Sequence, residues 1–125
     1  MVCYVDSGYR NDGSSNSNSS GYGSFIIYDD FDNKKELSRF KLPEASSNNE
    51  AEYLGLIKLL IYLDLYEYPE ATIYMDSQLV VNQVNNKWKI NYKNLYDLYH
   101  IVKSFNVKFE LKWIPREQIV DQLGH

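Results

Sequence analysis

Val2-Cys3-Tyr4-Val5-Asp6 and Thr72-Ile73-Tyr74-Met75-Asp76 are two short apolar runs, each closed by an aspartate. Runs of this length and composition fit buried strands. Between them, Leu56, Leu59, Leu60 and Leu63 recur at helical spacing, with Glu52 ahead of them on the same stripe. If the two runs are neighbouring strands, the three carboxylates converge at one edge of a sheet. Acids held together repel one another and raise each other's pKa values. A bound divalent cation relieves this, and hard oxygen ligands suit Mg²⁺ or Mn²⁺. The pattern therefore points to a metal-dependent enzyme acting on phosphate.

The chain has 125 residues and 44% hydrophobic content, which suits one globular domain spanning 1–125. A net charge of -4 argues against strong non-specific nucleic-acid binding through a basic surface. It leaves open an enzyme that reaches phosphates through metal ions. Cys3 is the one cysteine, so neither an internal disulfide nor a zinc–cysteine cluster can form. No disulfide-linked partner is expected, and Cys3 itself fits a buried strand position. No secretory leader or membrane-spanning run is evident, and a monomer in the reducing cytoplasm is the expectation.

Residues 2–6 are expected as the first strand, 22–29 as the second and 34–42 as the third. The turn at Asp30-Phe31-Asp32-Asn33 makes the latter two a hairpin. The stretch 13–21 is a polar, Ser/Asn-rich loop, either a plain connector or a flap over a site. Ser47 opens a helix of about 18 residues, with Glu50 as its capping-box partner. Strand 71–76 follows Pro69, then a short helix at 77–85. A second amphipathic helix runs over 91–105, with Leu95, Leu98, Tyr99, Val102 and Phe105 on one face. Residues 107–113 alternate as a strand with one face exposed, and Pro115 stops it. The remainder can hold only a short helix, with few anchors. The order is βββαβααβα.

Each acid has a plainer alternative. Asp6 could open a turn before Gly8, and Asp76 could cap the following helix. Glu52 is harder to dismiss, because Ser47 and Glu50 already fill the capping roles. A carboxylate aimed at the sheet is costly unless paired or metal-bound. Sites in α/β sheets also gather at the C-terminal ends of strands. Asp121 in the last helix is a fourth candidate, with a plain surface position as its alternative.

The chain resembles type 1 ribonuclease H in its compact form without the basic handle. The resemblance covers nearly the whole sequence. It rests on Tyr4-Val5-Asp6-Ser7-Gly8 with Arg10-Asn11-Asp12-Gly13, Ser47-Asn48-Asn49-Glu50-Ala51-Glu52, Asp76-Ser77-Gln78-Leu79-Val80-Val81-Asn82-Gln83, and Trp113-Ile114-Pro115-Arg116-Glu117 leading to Asp121. The four motifs occur in the family's order on matching elements. The resemblance implies a ribonuclease H-like α/β fold, with a five-stranded mixed sheet and helices on both faces. It also implies that Asp6, Glu52, Asp76 and Asp121 hold two Mg²⁺ ions, with Mn²⁺ as substitute. The implied activity is cleavage of the RNA strand of an RNA–DNA hybrid, leaving 5′-phosphate and 3′-hydroxyl ends. Asn11, Asn48, Asn49 and Gln78 then face the substrate, since amides both donate to and accept from sugar hydroxyls and base edges. Asn48 and Asn49 also suit helix entry alone.

Four departures qualify the likeness. The loop after the first strand is longer and richer in serine and asparagine. The basic handle is absent, with only Lys87-Trp88-Lys89 near its place. Trp88 could stack on a sugar or base, although packing is the commoner job of a tryptophan. No histidine precedes Asp121 where many relatives carry a mobile one; Arg116 is the better candidate to hold the scissile phosphate or assist product release, with a plain surface arginine as its alternative. His100 is expected as an ordinary surface or core residue, and His125 lies beyond Asp121. Finally, relatives place about two more residues before the last aspartate than stand between Glu117 and Asp121. Two alternatives stay open: a non-catalytic binding module with this fold, and a nuclease for double-stranded RNA or for a DNA strand.

Overall fold

In the computed structural model, which describes residues 1–10 and 20–124, the sheet is mixed and ordered β3-β2-β1-β4-β5. Its strands are β1 (Val2–Arg10), β2 (Ser20–Tyr28), β3 (Lys34–Leu42), β4 (Glu70–Met75) and β5 (Lys108–Trp113). The helices are α1 (Asn48–Leu65), α2 (Gln78–Val84), α3 (Lys93–Lys103) and α4 (Arg116–Leu123). The expected order βββαβααβα is the observed one. The first three strands are antiparallel neighbours, while β4 runs parallel to both β1 and β5.

Strand alternation splits β1 between two layers. Cys3 and Val5 face Leu56, Leu59, Leu60 and Leu63 of α1, in a core completed by Val80 of α2 and Val102 of α3. Tyr4 points to the opposite face, where Ile26 packs under Ile119 and Leu123 of α4. Helices therefore cover both faces. α4 was expected to be poorly anchored, and this is corrected. Ile119 and Leu123 are fully buried, and Gly124 closes it in the left-handed conformation, donating to the Val120 carbonyl at 2.8 Å. An amphipathic helix can be short and still held, because one buried stripe supplies most of its stability.

β1 is longer than the expected 2–6, because Ser7–Arg10 pair with Ser20–Gly23 of β2. Asp6 is therefore not the last residue of its strand. The expected loop 13–21 loses Ser20 and Gly21 to β2, and its remainder lies outside the described residues. The capping box is also modified. Ser47 Oγ accepts from the Glu50 N–H at 3.2 Å, but the Glu50 carboxylate turns to the Ser46 N–H and hydroxyl and to the Asn94 amide. The reciprocal bond has moved one residue upstream.

Candidate active site

Register places the two aspartates side by side. β1 and β4 pair at Val2 with Thr72, Cys3 with Ile73 and Tyr4 with Tyr74, and there the ladder ends. Asp6 and Asp76 each stand two residues beyond the last pair, at the same level where the strands part. Asp6 stays in β1 because that strand continues along β2, opposite Ser24. It is 5% exposed. Asp76 follows the end of β4 and is held through its backbone, the Trp113 indole donating to its carbonyl at 3.0 Å. The Ile114 N–H binds the neighbouring Met75 carbonyl.

The helix-cap alternative for Asp76 is not what is seen. Ser77 caps α2, its hydroxyl accepting from the Val80 N–H at 3.2 Å. The Asp76 carboxylate is thereby left for other work. Ser77 also hydrogen-bonds Glu52, a contact for which the motif gave it no part. The signal for the cap was present: a serine directly before a helix that begins with Gln78 is a strong cap candidate.

Glu52 arrives from the other layer, one turn into α1. Burial pushes its carboxyl up to about 7, the Ser77 hydroxyl works against this, and the charges of Asp76 and Asp6 add to it. The Asn48 amide also favours the charged form. Burial is thus the larger cause, and the repulsion that the sequence implied adds to it at Glu52. The linkage has a definite sign. A folded-state value near 7 against an ordinary 4.5 means that protonated Glu52 stabilises the metal-free fold. That contribution is fully present below about 4.5 and is lost as pH rises through about 7. Glu52→Gln is expected to melt higher than wild type at pH 8 in a chelator, with the gap closing towards pH 4.5. Thermal melts across that range check it; parallel curves would contradict it.

Arg116, the first residue of α4, crosses from the opposite side. Its Nη1 lies 3.0 Å from Asp76 Oδ2 and 3.6 Å from Asp6 Oδ2. The other expected residues are more dispersed. Asp121 is exposed on α4, and its side chain makes no hydrogen bond or ion pair among the described residues. Asn48, Asn49 and Gln78 are exposed at the starts of α1 and α2. Asn49 borders a groove of about 430 Å³ lined by Leu79, Lys87, Trp88, Lys89 and Tyr92. Trp88 is 47% exposed, so packing occupies only part of its surface. His100 is exposed, against the rings of Tyr96 and Tyr99. Asn11 and His125 lie outside the described residues.

Among the described residues no group of three Asp, Glu, His or Cys is drawn together tightly enough to grip a metal ion. Arg116 bridges Asp6 and Asp76 instead, and Glu52 leans on Ser77 and Asn48. The donor set is nevertheless the hard, anionic oxygen set that Mg²⁺ and Mn²⁺ take.

Comparison with known proteins places this arrangement. The profile of the reverse transcriptase-like family matches residues 10–121. The bifunctional protein Rv2228c of Mycobacterium tuberculosis is 34% identical over 119 residues, which is 93% of this chain and 31% of that protein. This chain thus spans about a third of the length of the curated relatives it matches. The solved N-terminal RNase H domain of Rv2228c superposes with a TM-score of 0.80 at 26% identity, covering 98% of this chain and 88% of that one. LC11-RNase H1 in complex with an RNA/DNA hybrid gives 0.79 at 25% identity, covering 98% and 91%. RNase H1 of Halobacterium salinarum gives 0.84 at 19% identity, covering 98% and 92%, a likeness of fold alone. No helix among the described residues is long and apolar enough to cross a membrane.

Proposed function

Since this chain belongs to the reverse transcriptase-like family and has the ribonuclease H-like fold in its compact type 1 form, we propose that it is a metal-dependent endoribonuclease. Its substrate is the RNA strand of an RNA–DNA hybrid, cut to 5′-phosphate and 3′-hydroxyl ends. The observation that carries this reading is the meeting of Asp6, Glu52 and Asp76 where β1 and β4 part, with Glu52 raised to about 7. A scaffold has no use for three acids that destabilise one another. A site for divalent cations does.

Asp6, Glu52 and Asp76 would hold Mg²⁺ or Mn²⁺, with Asp121 as the fourth carboxylate. Bound there, such ions would supply an activated water and charge stabilisation for the leaving 3′ oxygen. The rest falls to the chain. Ser77 and the backbone anchors from Trp113 and Ile114 fix the direction of Glu52 and Asp76. Arg116, on an exposed stem beside both aspartates, can turn to a non-bridging phosphate oxygen. Asn48 uses part of its amide on Glu52 and keeps a second donor for a sugar hydroxyl. Asn49 and Gln78, with Asn11 from the preceding segment, serve the same purpose. Recognition of the 2′-hydroxyl is what separates RNA from DNA. Lys87 and Lys89 flank the groove beside Asn49 and suit the backbone of the second strand.

The test is incubation with end-labelled RNA–DNA hybrid, RNA duplex and DNA duplex in Mg²⁺ or Mn²⁺. Hybrid cleavage with a ligatable 5′-phosphate supports the proposal. Hybrid binding without cleavage in either metal leaves a binding module with this fold. Cleavage of the RNA duplex in preference to the hybrid moves the substrate class.

Asp121 has its own test. Its exposure on α4 fits a ligand that engages only when metal and substrate are bound. Asp121→Asn is expected to lower hybrid cleavage about a hundredfold, in the range for loss of one participating group. Its melting temperature should stay near wild type, because the side chain bonds to nothing among the described residues. Full activity would place the fourth ligand elsewhere.

A further inference from the structure

Arg116 stands at a position that does not favour it. It is the first residue of α4, where the helix dipole presents positive charge and disfavours a cation. No side chain caps that helix end. What compensates the guanidinium is Asp76 at 3.0 Å and Asp6 at 3.6 Å. The Arg116 side chain is 66% exposed, while those of Asp6 and Asp76 are 6% and 9% exposed. One long, solvated cation thus rests on two sunken acids, one within β1 and one just past the end of β4.

The oxygens it uses are Oδ2 of Asp76 and Oδ2 of Asp6. A hard divalent cation binds through carboxylate oxygens. An ion shared by Asp6 and Asp76 needs the space where Nη1 lies, and a second positive charge there is repelled. The two occupants exclude each other. The Arg116 side chain is mostly solvated, so departure sacrifices little burial. On leaving, the guanidinium remains tethered at the helix end next to the site.

We propose that Arg116 is a built-in counter-cation. It closes the Asp6–Asp76 pair in the metal-free protein, and a divalent cation must displace it to bind. Arg116 thereby sets the metal concentration at which the site fills. Filling the site frees the guanidinium for a phosphate oxygen, which couples metal occupancy to substrate binding. This rests on the metal-nuclease reading above. Its own content is the competition, which can be measured without substrate.

The experiment is calorimetric titration of the chain with MnCl₂, without nucleic acid, for wild type, Arg116→Gln, Arg116→Lys and Asp76→Asn. Arg116→Gln is expected to bind Mn²⁺ roughly three- to fivefold more tightly than wild type, the scale of one partly solvated ion pair. Arg116→Lys keeps the charge and should stay within about twofold of wild type on the same reasoning. Asp76→Asn should weaken binding. Unchanged or weaker binding by Arg116→Gln, with Asp76→Asn still impaired, overturns the competition and leaves the metal site standing. No Mn²⁺ binding by any form overturns the metal site and the competition together. Melting curves in chelator verify that each variant is folded. Arg116→Met, which keeps the length of the stem, repeats the test if the glutamine variant folds poorly.

Discussion

Asp76→Asn is expected to abolish hybrid cleavage while leaving the fold intact. The substitution changes almost no volume and removes one negative charge from the place where β1 and β4 part. If Asp76 is a metal ligand, the loss includes both the ion's affinity and its orientation. Metal stabilisation of the transition state amounts to several kcal/mol, so the rate should fall by about a thousandfold or more. Stability should barely move. The segment is anchored through backbone carbonyls, by the Trp113 indole on Asp76 and the Ile114 N–H on Met75, and these bonds do not involve the carboxylate. The lost ion pair with Arg116 involves a largely solvated guanidinium and is worth less than about 1 kcal/mol. Relief of the repulsion on Glu52 acts in the opposite direction. Cleavage rates against hybrid, taken with melting curves, separate the two effects. Retention of even a tenth of the activity would remove Asp76 from the metal set. A collapse in melting temperature would make it a structural residue.

That Asp6 and Asp76 end up adjacent was only half legible in the sequence. Apolar runs mark β1 and β4, and leucine spacing marks the face of α1, because burial imposes period on composition. The register of β1 on β4 leaves no such mark. It exists only in the assembled sheet, where equal offsets from Tyr4 and Tyr74 bring the acids level. The continuation of β1 to Arg10 was hidden for a related reason. Ser7, Gly8 and Tyr9 are not an apolar run, and their strand conformation comes from pairing with β2. The contact of Arg116 with both acids spans 40 residues to Asp76 and more to Asp6, and no local pattern announces it. Glu52 was legible because an acid on an apolar stripe is a local contradiction, and such contradictions gather at functional sites.

Gly55 has the second large effect, and it connects the scaffold to the site. A Cβ built on Gly55 would lie 1.7 Å from Ser7 Oγ and 3.0 Å from Ser7 Cβ. The close approach of α1 to β1 thus depends on a residue without a side chain. Ser7 has little room to yield. It is buried opposite Gly23, where an added Cβ would also meet its hydroxyl, at 2.8 Å. Overpacking of this kind costs about 3 kcal/mol. The better helix propensity of alanine returns about 1 kcal/mol. Gly55→Ala should therefore lose about 2 kcal/mol, a fall of roughly 10 °C in melting temperature for a chain of this size. Activity should fall too, because the residue pushed is the neighbour of Asp6. Ser7→Ala tests the cause. Its hydroxyl is buried without a hydrogen-bond partner among the described residues, so removing it alone should be neutral or slightly stabilising. In the double variant the nearest contact becomes the 3.0 Å approach to Ser7 Cβ, and about half of the lost stability should return. If the two changes simply add, the clash with Ser7 is not what makes Gly55 necessary, and the glycine serves α1 in some other way.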